Sequence, residues 1–266
     1  MKCCRLAATL STVAALLGLS LAGAASAQAQ SAATGYVALG DSYSSGVGAG
    51  DYDSGSGDCK RSANAYPQLW NAANSPSSFD FTACSGAVTT DVINDQLGPL
   101  DDSTGLVTIS IGGNDAGFAD AMTTCVTSGE SACIERLQEA RDYINGTLPE
   151  KLDAVYDAIS SKAPSADVVV LGYPRMYQLD GDCAVGISEK SRAAVNDASD
   201  DLSDVVSGRA GAHGFQYGDV RPNFTGHEIC SGDEWLHSVA VPIGDSYHPT
   251  AAGQSGGYLP ALEAHA

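Results

Sequence analysis

Basic side chains are scarce in this chain: 13 lysines and arginines stand against 32 aspartates and glutamates, for a formal net charge of −19. A surface of that sign repels nucleic acid and anionic membrane surfaces, so neither is an expected partner. Paired metal-binding motifs are missing too. No C-x-x-C occurs, and His227-Glu228 opens an H-E-x-x-H that Ser231 leaves without its second histidine, which excludes a zinc protease of that type. Gly46-Val47-Gly48 starts a dinucleotide fingerprint, but Asp51 occupies the place of the last glycine. Asp51, Asp53 and Asp58 hint at a calcium loop, yet Gly55 and Ser56 break the EF-hand order and no glutamate closes it. Internal repeats and dividing linkers are also absent.

The N-terminus reads as a targeting segment. Lys2 and Arg5 give a positive start, Leu6 to Ala22 an apolar stretch, and Ala25-Ser26-Ala27 an A-x-A cleavage site. The stretch is short, interrupted by Thr, Ser and Gly, and followed by no stop-transfer pattern, so a retained membrane anchor is the weaker reading. Residues 1–27 are expected to be a signal peptide, with cleavage after Ala27 or after Ala29, and residues 28–266 a single secreted, extracellular domain. Six cysteines remain after cleavage: Cys59, Cys84, Cys125, Cys133, Cys183 and Cys230. In an exported chain an even count reads as three disulfides with fifteen possible pairings, of which the sequential one is the simplest.

Apolar runs alternate with helical periodicity along the rest of the chain. Tyr36 to Leu39, Phe79 to Ala83, Leu106 to Ile111, Val168 to Leu171 and Phe215 to Tyr217 read as strands. Ala65 to Asn74 and Thr89 to Leu97 read as short helices. Leu137, Ile144, Leu148, Leu152, Val155 and Ile159 recur at helical spacing, broken by Gly146, with Thr147 to Glu150 as a capping box for a second helix. A further helix carries Val195, Ala198, Leu202, Val205 and Val206, and Pro249 to Leu262 forms a closing one. Such alternation favours an α/β fold with a parallel sheet covered on both faces.

The first strand ends in Gly40-Asp41-Ser42, which lifts a serine hydroxyl to the carboxyl edge of the sheet, where α/β proteins bind ligands. Acyl cleavage through serine needs a base, a group that holds the base, and donors for the oxyanion. Among His213, His227, His237, His248 and His265, the best-placed base is His248 in Asp245-Ser246-Tyr247-His248-Pro249. An acid three residues earlier can turn back to the second ring nitrogen. His213 and His237 read as structural, and His265 lies in the tail. Gly86 after a strand offers an unhindered backbone N–H, and Asn114 after Gly112-Gly113 a side-chain amide.

Together these residues resemble the SGNH (GDSL-type) hydrolase superfamily. Its four blocks appear in order as Gly40-Asp41-Ser42, Gly86 within Cys84-Ser85-Gly86-Ala87, Gly112-Gly113-Asn114-Asp115, and Asp245-x-x-His248-Pro249. The signal peptide, six cysteines, Gly172-Tyr173-Pro174 and Gly226-His227-Glu228 are similar to those of secreted Streptomyces-type lipases and esterases. The resemblance implies a three-layer α/β/α sandwich around a central parallel sheet of about five strands. It implies Ser42 as nucleophile, His248 as base, and Ser42 N–H, Gly86 N–H and the Asn114 amide as oxyanion hole. Tyr43 departs from the leucine of GDSL. Asp245 stands as the third catalytic residue, or else the carbonyl of Asp245 or Ser246 holds the histidine instead. The implied activity is a triacylglycerol lipase-like carboxylic ester hydrolase acting on small-molecule or lipid esters as a monomer, with no metal or cofactor and no integral membrane segment. Phospholipase A1 or a general carboxylesterase is the alternative, followed by a carbohydrate deacetylase or an inactive binding module.

Overall fold

The computed structural model describes residues 35–266; the expected signal segment and both cleavage points lie outside the described residues. Five parallel strands form one sheet in the order β2-β1-β3-β4-β5: β1 Gly35–Gly40, β2 Phe79–Phe81, β3 Thr104–Ser110, β4 Asp167–Leu171 and β5 Gln216–Gly218. Tyr36 pairs with Phe79 on one side and Leu106 on the other, and β3 continues through Leu106↔Asp167 to the β4–β5 edge. The chain runs from β1 to one side and then returns to the other, so β1 and β3 flank the switch point where such sheets bind ligands. All six β1 residues are buried, which is why β1 reads as a continuous apolar run rather than an alternating one.

Helices cover both faces, as the three-layer expectation requires. They are α1 Ser42–Ser45, α2 Tyr66–Asn74, α3 Thr89–Asp91, α4 Phe118–Thr127, α5 Glu130–Gly146, α6 Leu148–Lys162, α7 Glu189–Ala212, α8 Arg221–Phe224 and α9 Leu259–Glu263. One group packs α4 on α5, α5 on α7 and α6 on α7; another sets α2 against α9. The α6 stripe of Leu148, Leu152, Val155 and Ile159 is fully buried, each aliphatic side chain contributing about 1.5–3 kcal/mol. Opposite, Tyr36 packs on Trp70 and Phe79, with ring centroids at 5.0 Å in both pairs.

Three local expectations change. Thr147 caps nothing with its side chain: its N–H closes α5 on the Tyr143 carbonyl, which holds it in helical conformation, so its hydroxyl cannot reach the first turn of α6. The Thr89–Leu97 and Pro249–Leu262 helices are each interrupted by a wide turn, at Val92–Gln96 and at Gly253–Tyr258. Helix α4 has no counterpart among the sequence expectations. The disulfides join Cys59 to Cys84, Cys125 to Cys133 across α4 and α5, and Cys183 to Cys230.

Candidate active site

The end of β1 is held by unusual means. Gly40 adopts φ +124, and a β-carbon there would lie 2.5 Å from the Ser110 carbonyl, so no other residue fits. Gln96, in the wide turn after α3, pairs with both backbone groups of Gly40: it accepts from the N–H at 2.7 Å and donates to the carbonyl at 2.9 Å. Asp41 then N-caps α1, accepting from the Tyr43 N–H at 3.0 Å. Gln254, in the other wide turn, accepts from the Tyr66 N–H and donates to the Tyr43 carbonyl. Wide turns of this kind often mark functional positions. Here both aim an amide at the segment that carries Ser42.

Beneath Ser42 lies a buried polar cluster. Asp41 accepts from the hydroxyls of Ser110 (2.7 Å) and Tyr173, and Tyr173 Oη in turn accepts from the Gly113 N–H. Burial raises the Asp41 carboxyl to about 6, against the lowering effect of these hydrogen bonds.

Ser42 Oγ lies 2.8 Å from His248 Nε2. The other ring nitrogen, Nδ1, is 2.9 Å from the carbonyl oxygen of Ser246. A carbonyl only accepts, so Nδ1 carries the proton and Nε2 presents a lone pair to the Ser42 hydroxyl. Burial lowers the His248 pKa to about 4, which keeps the ring neutral at neutral pH. The histidine is therefore in the form a general base requires.

The expectation of Asp245 as the group that holds the imidazole is corrected by this geometry. Its carboxylate makes no hydrogen bond to His248; it accepts from Tyr52 Oη at 3.2 Å and faces Lys60 Nζ at 3.9 Å. Asp245 closes a short 3-10 turn, Ile243–Asp245, and the four residues Asp245 to His248 make a tight reversal. In it the His248 N–H donates to the Asp245 carbonyl, and Tyr247 takes a left-handed φ of +62. That combination is a type II turn, whose central carbonyl, here that of Ser246, is flipped toward the imidazole. A tyrosine in this conformation costs about 1–3 kcal/mol, offset by two bonds: its N–H donates to the His237 carbonyl, and its own carbonyl accepts from Tyr43 Oη at 2.7 Å.

The two other expected oxyanion donors come from loops tied to one another. Gly86 adopts φ +81, and its N–H and that of Ser42 donate to no acceptor among the described residues. Asn114 donates one amide hydrogen to the Ala87 carbonyl at 3.0 Å, which fixes the plane of the amide and leaves the second hydrogen free. Asp115 accepts from both the N–H and the hydroxyl of Thr89, which locks the Asn114 loop onto the Gly86 loop. Cys59–Cys84 anchors the same loop one residue before Ser85.

Ser42, Gly86, Asn114 and His248 open into one cavity of about 510 Å³. Its far wall is apolar: Phe118, Met122 and Val126 come from α4, Met176 from the loop after β4, and Leu202 from α7. The arrangement places a polarised hydroxyl, a neutral imidazole and three N–H donors at the head of an acyl-sized slot. His213 is bound to Asp153, and His237 to the Gly48 carbonyl, both away from Ser42. Asp53 caps the turn at Ser54–Cys59. No cluster of metal-ligating side chains occurs among the described residues. Gln96 and Gln254 escape sequence reasoning with no signal; Tyr43 is marked only by its departure from leucine, and Tyr173 only by its place in Gly172-Tyr173-Pro174, with no role attached.

The GDSL-like Lipase/Acylhydrolase family profile matches residues 38–255, a span that contains Ser42, Gly86, Asn114 and His248. The chain is 65% identical over 261 residues to Lipase 1 of Streptomyces coelicolor, covering 97% of each. Among solved structures, phospholipase A1 from Streptomyces albidoflavus is similar at 65% identity with a TM-score of 0.87, covering 88% of this chain and 100% of that one. An extracellular lipase from Streptomyces rimosus is similar at 63% identity with a TM-score of 0.86 and the same coverage. With the profile spanning most of its length and relatives this near, the chain belongs to the GDSL-like lipase/acylhydrolase family.

Proposed function

We propose that the chain is an exported serine ester hydrolase, monomeric and cleaved after Ala27 or Ala29, whose single catalytic domain of residues 28–266 hydrolyses fatty acyl esters such as acylglycerols. The observation that carries this reading is the 2.8 Å contact between His248 Nε2 and Ser42 Oγ at the head of an apolar cavity. His248 takes the hydroxyl proton while Ser42 Oγ attacks the ester carbonyl. The resulting oxyanion sits among the N–H groups of Ser42 and Gly86 and the free amide hydrogen of Asn114. The proton passes from His248 to the departing alkoxide, leaving an acyl-enzyme. Water, deprotonated by the same imidazole, then releases the fatty acid. The Ser246 carbonyl holds the ring throughout and stabilises the imidazolium that forms at each step.

Phospholipase A1 activity is a second reading, supported by the likeness to the Streptomyces albidoflavus enzyme of that name. Export is supported by the three disulfides and by the description of the Streptomyces rimosus relative as extracellular. A fluorescent fluorophosphonate tests the chemistry directly. The wild-type chain is expected to label and the Ser42→Ala variant to remain dark; an unlabelled wild type would overturn the hydrolase reading. Release of fatty acid from emulsified triacylglycerol and from phosphatidylcholine then separates the two substrate readings.

A further inference from the structure

Among the described residues, four large apolar side chains are more than half exposed: Val185 (85%), Val239 (56%), Val241 (101%) and Ile243 (72%). They are not scattered. Val239 and Ile243 line the mouth of the catalytic cavity, while Val239 and Val185 line a neighbouring cavity of about 530 Å³ that shares Val126, Val239 and Tyr247 with it. Val241 stands between Val239 and Ile243 and lines neither cavity.

Three of the four sit on one projecting segment, residues 238–246, with a fixed base. Leu236 bridges Pro249, the His237 N–H donates to the His248 carbonyl, and the Tyr247 N–H returns to the His237 carbonyl. Within the segment, the Ala240 N–H donates to Ser246 Oγ at 2.9 Å. The apolar tips are therefore presented by a braced loop whose last residues hold the catalytic imidazole. Lys60, on the same rim, brings an ammonium group beside Asp245 and Gly244.

A single ester molecule in the catalytic cavity does not touch Val241, so the exposure of these side chains needs another explanation. Clustered exposed apolar surface around a site marks a docking face. We propose that the Val185, Val239, Val241 and Ile243 rim docks the enzyme on a zwitterionic phospholipid surface, with Lys60 meeting lipid phosphate, so that esters enter the cavity from the aggregate. This deepens, and rests on, the acyl-ester reading above. The net charge of −19 sets the choice of surface: an anionic bilayer repels this chain, whereas a zwitterionic one admits the apolar tips without that cost.

The test uses Val241→Asn and Val185→Asn, neither of which lines the catalytic cavity, in the mature chain. On a Ser42→Ala background, sedimentation with phosphatidylcholine vesicles measures docking without turnover. Each substitution is expected to lower the vesicle partition coefficient about tenfold, and the pair more, since each exposed apolar side chain loses its transfer out of water. On the active background, hydrolysis of a monomeric short-chain ester is expected to be unchanged, while release of fatty acid from vesicles falls. Co-sedimentation equal to that of the parent overturns the proposal, as does tighter binding to phosphatidylglycerol vesicles or an equal loss on monomeric ester and vesicles. Failure of the wild type to hydrolyse any ester would instead sink the enzyme reading, and vesicle binding by the Ser42→Ala chain reports on docking independently.

Discussion

His248 Nδ1 lies 2.9 Å from the carbonyl oxygen of Ser246, and this backbone group occupies the place that a carboxylate fills in a Ser-His-Asp triad. Asp245, one residue further back, is turned toward Tyr52 and Lys60. Asp245→Asn is therefore expected to change kcat by less than about tenfold, whereas removing the acid of a true triad costs about 10⁴. Steady-state kinetics on a soluble ester distinguishes the two; a loss near the larger figure would make the carboxylate the operative group.

Tyr43 follows the nucleophile directly, yet its hydroxyl donates to the Tyr247 carbonyl, next to the base. Its ring packs against Tyr173 and His248, with centroids at 5.1 and 5.3 Å, contacts that phenylalanine would keep. Tyr43→Phe leaves a buried carbonyl unpaired, which costs about 1–3 kcal/mol by urea unfolding. It also loosens the turn that aims the Ser246 carbonyl, so kcat is expected to fall about 10- to 100-fold with KM nearly unchanged. A variant equal to wild type in kcat would show that the hydroxyl only stabilises the fold.

Asn114 is held by one amide hydrogen and is expected to offer the other to the oxyanion. Asn114→Ala should lower kcat by about 10²–10³ with little effect on KM, the usual consequence of losing one such donor. Unchanged turnover in a folded variant would remove Asn114 from the mechanism.

Two buried groups pull the pH dependence in opposite directions. His248 is lowered to about 4 by burial, so kcat/KM is expected to hold from neutral pH down toward 5 and to fall as pH drops through about 4. A fall centred near 6.5 would contradict that burial. For stability, the unfolded histidine binds protons that the folded one refuses between about 4 and 6.5, so stability rises with pH across that window.

Asp41, raised to about 6 by burial, retains a proton in the folded state that the unfolded chain releases near 3.8. Its contribution is thus present at low pH and lost as pH rises through about 6. Asp41→Asn deletes this opposing contribution. Urea unfolding at several pH values should show stability climbing more steeply from pH 4 to 6.5 in the variant than in wild type.

The strands, the parallel sheet and the order of the four motif blocks were legible in the chain, because buried strands demand apolar runs and because Gly40-Asp41-Ser42 and Gly112-Gly113-Asn114 need particular residue types. Ser42, Gly86, Asn114 and His248 could be named before any of them was seen to meet. Helix α4 carries a helical stripe of Phe118, Ala121, Met122, Cys125 and Val126 that is easily passed over because it is short and interspersed with threonine. Ala121, Met122 and Cys125 are buried in the core, while Phe118, Met122 and Val126 line the cavity.

What only the folded molecule decided is which oxygen holds the imidazole, and what holds the end of β1. A backbone carbonyl has no letter in the sequence, and its direction depends on the left-handed turn at Tyr247, itself fixed by a hydroxyl from Tyr43 some two hundred positions earlier. Gln96 and Gln254 reach Gly40 and Tyr43 only because the wide turns place them there. Residue type set the available chemistry locally; the direction of a hydrogen bond between distant segments is a property of the whole packing.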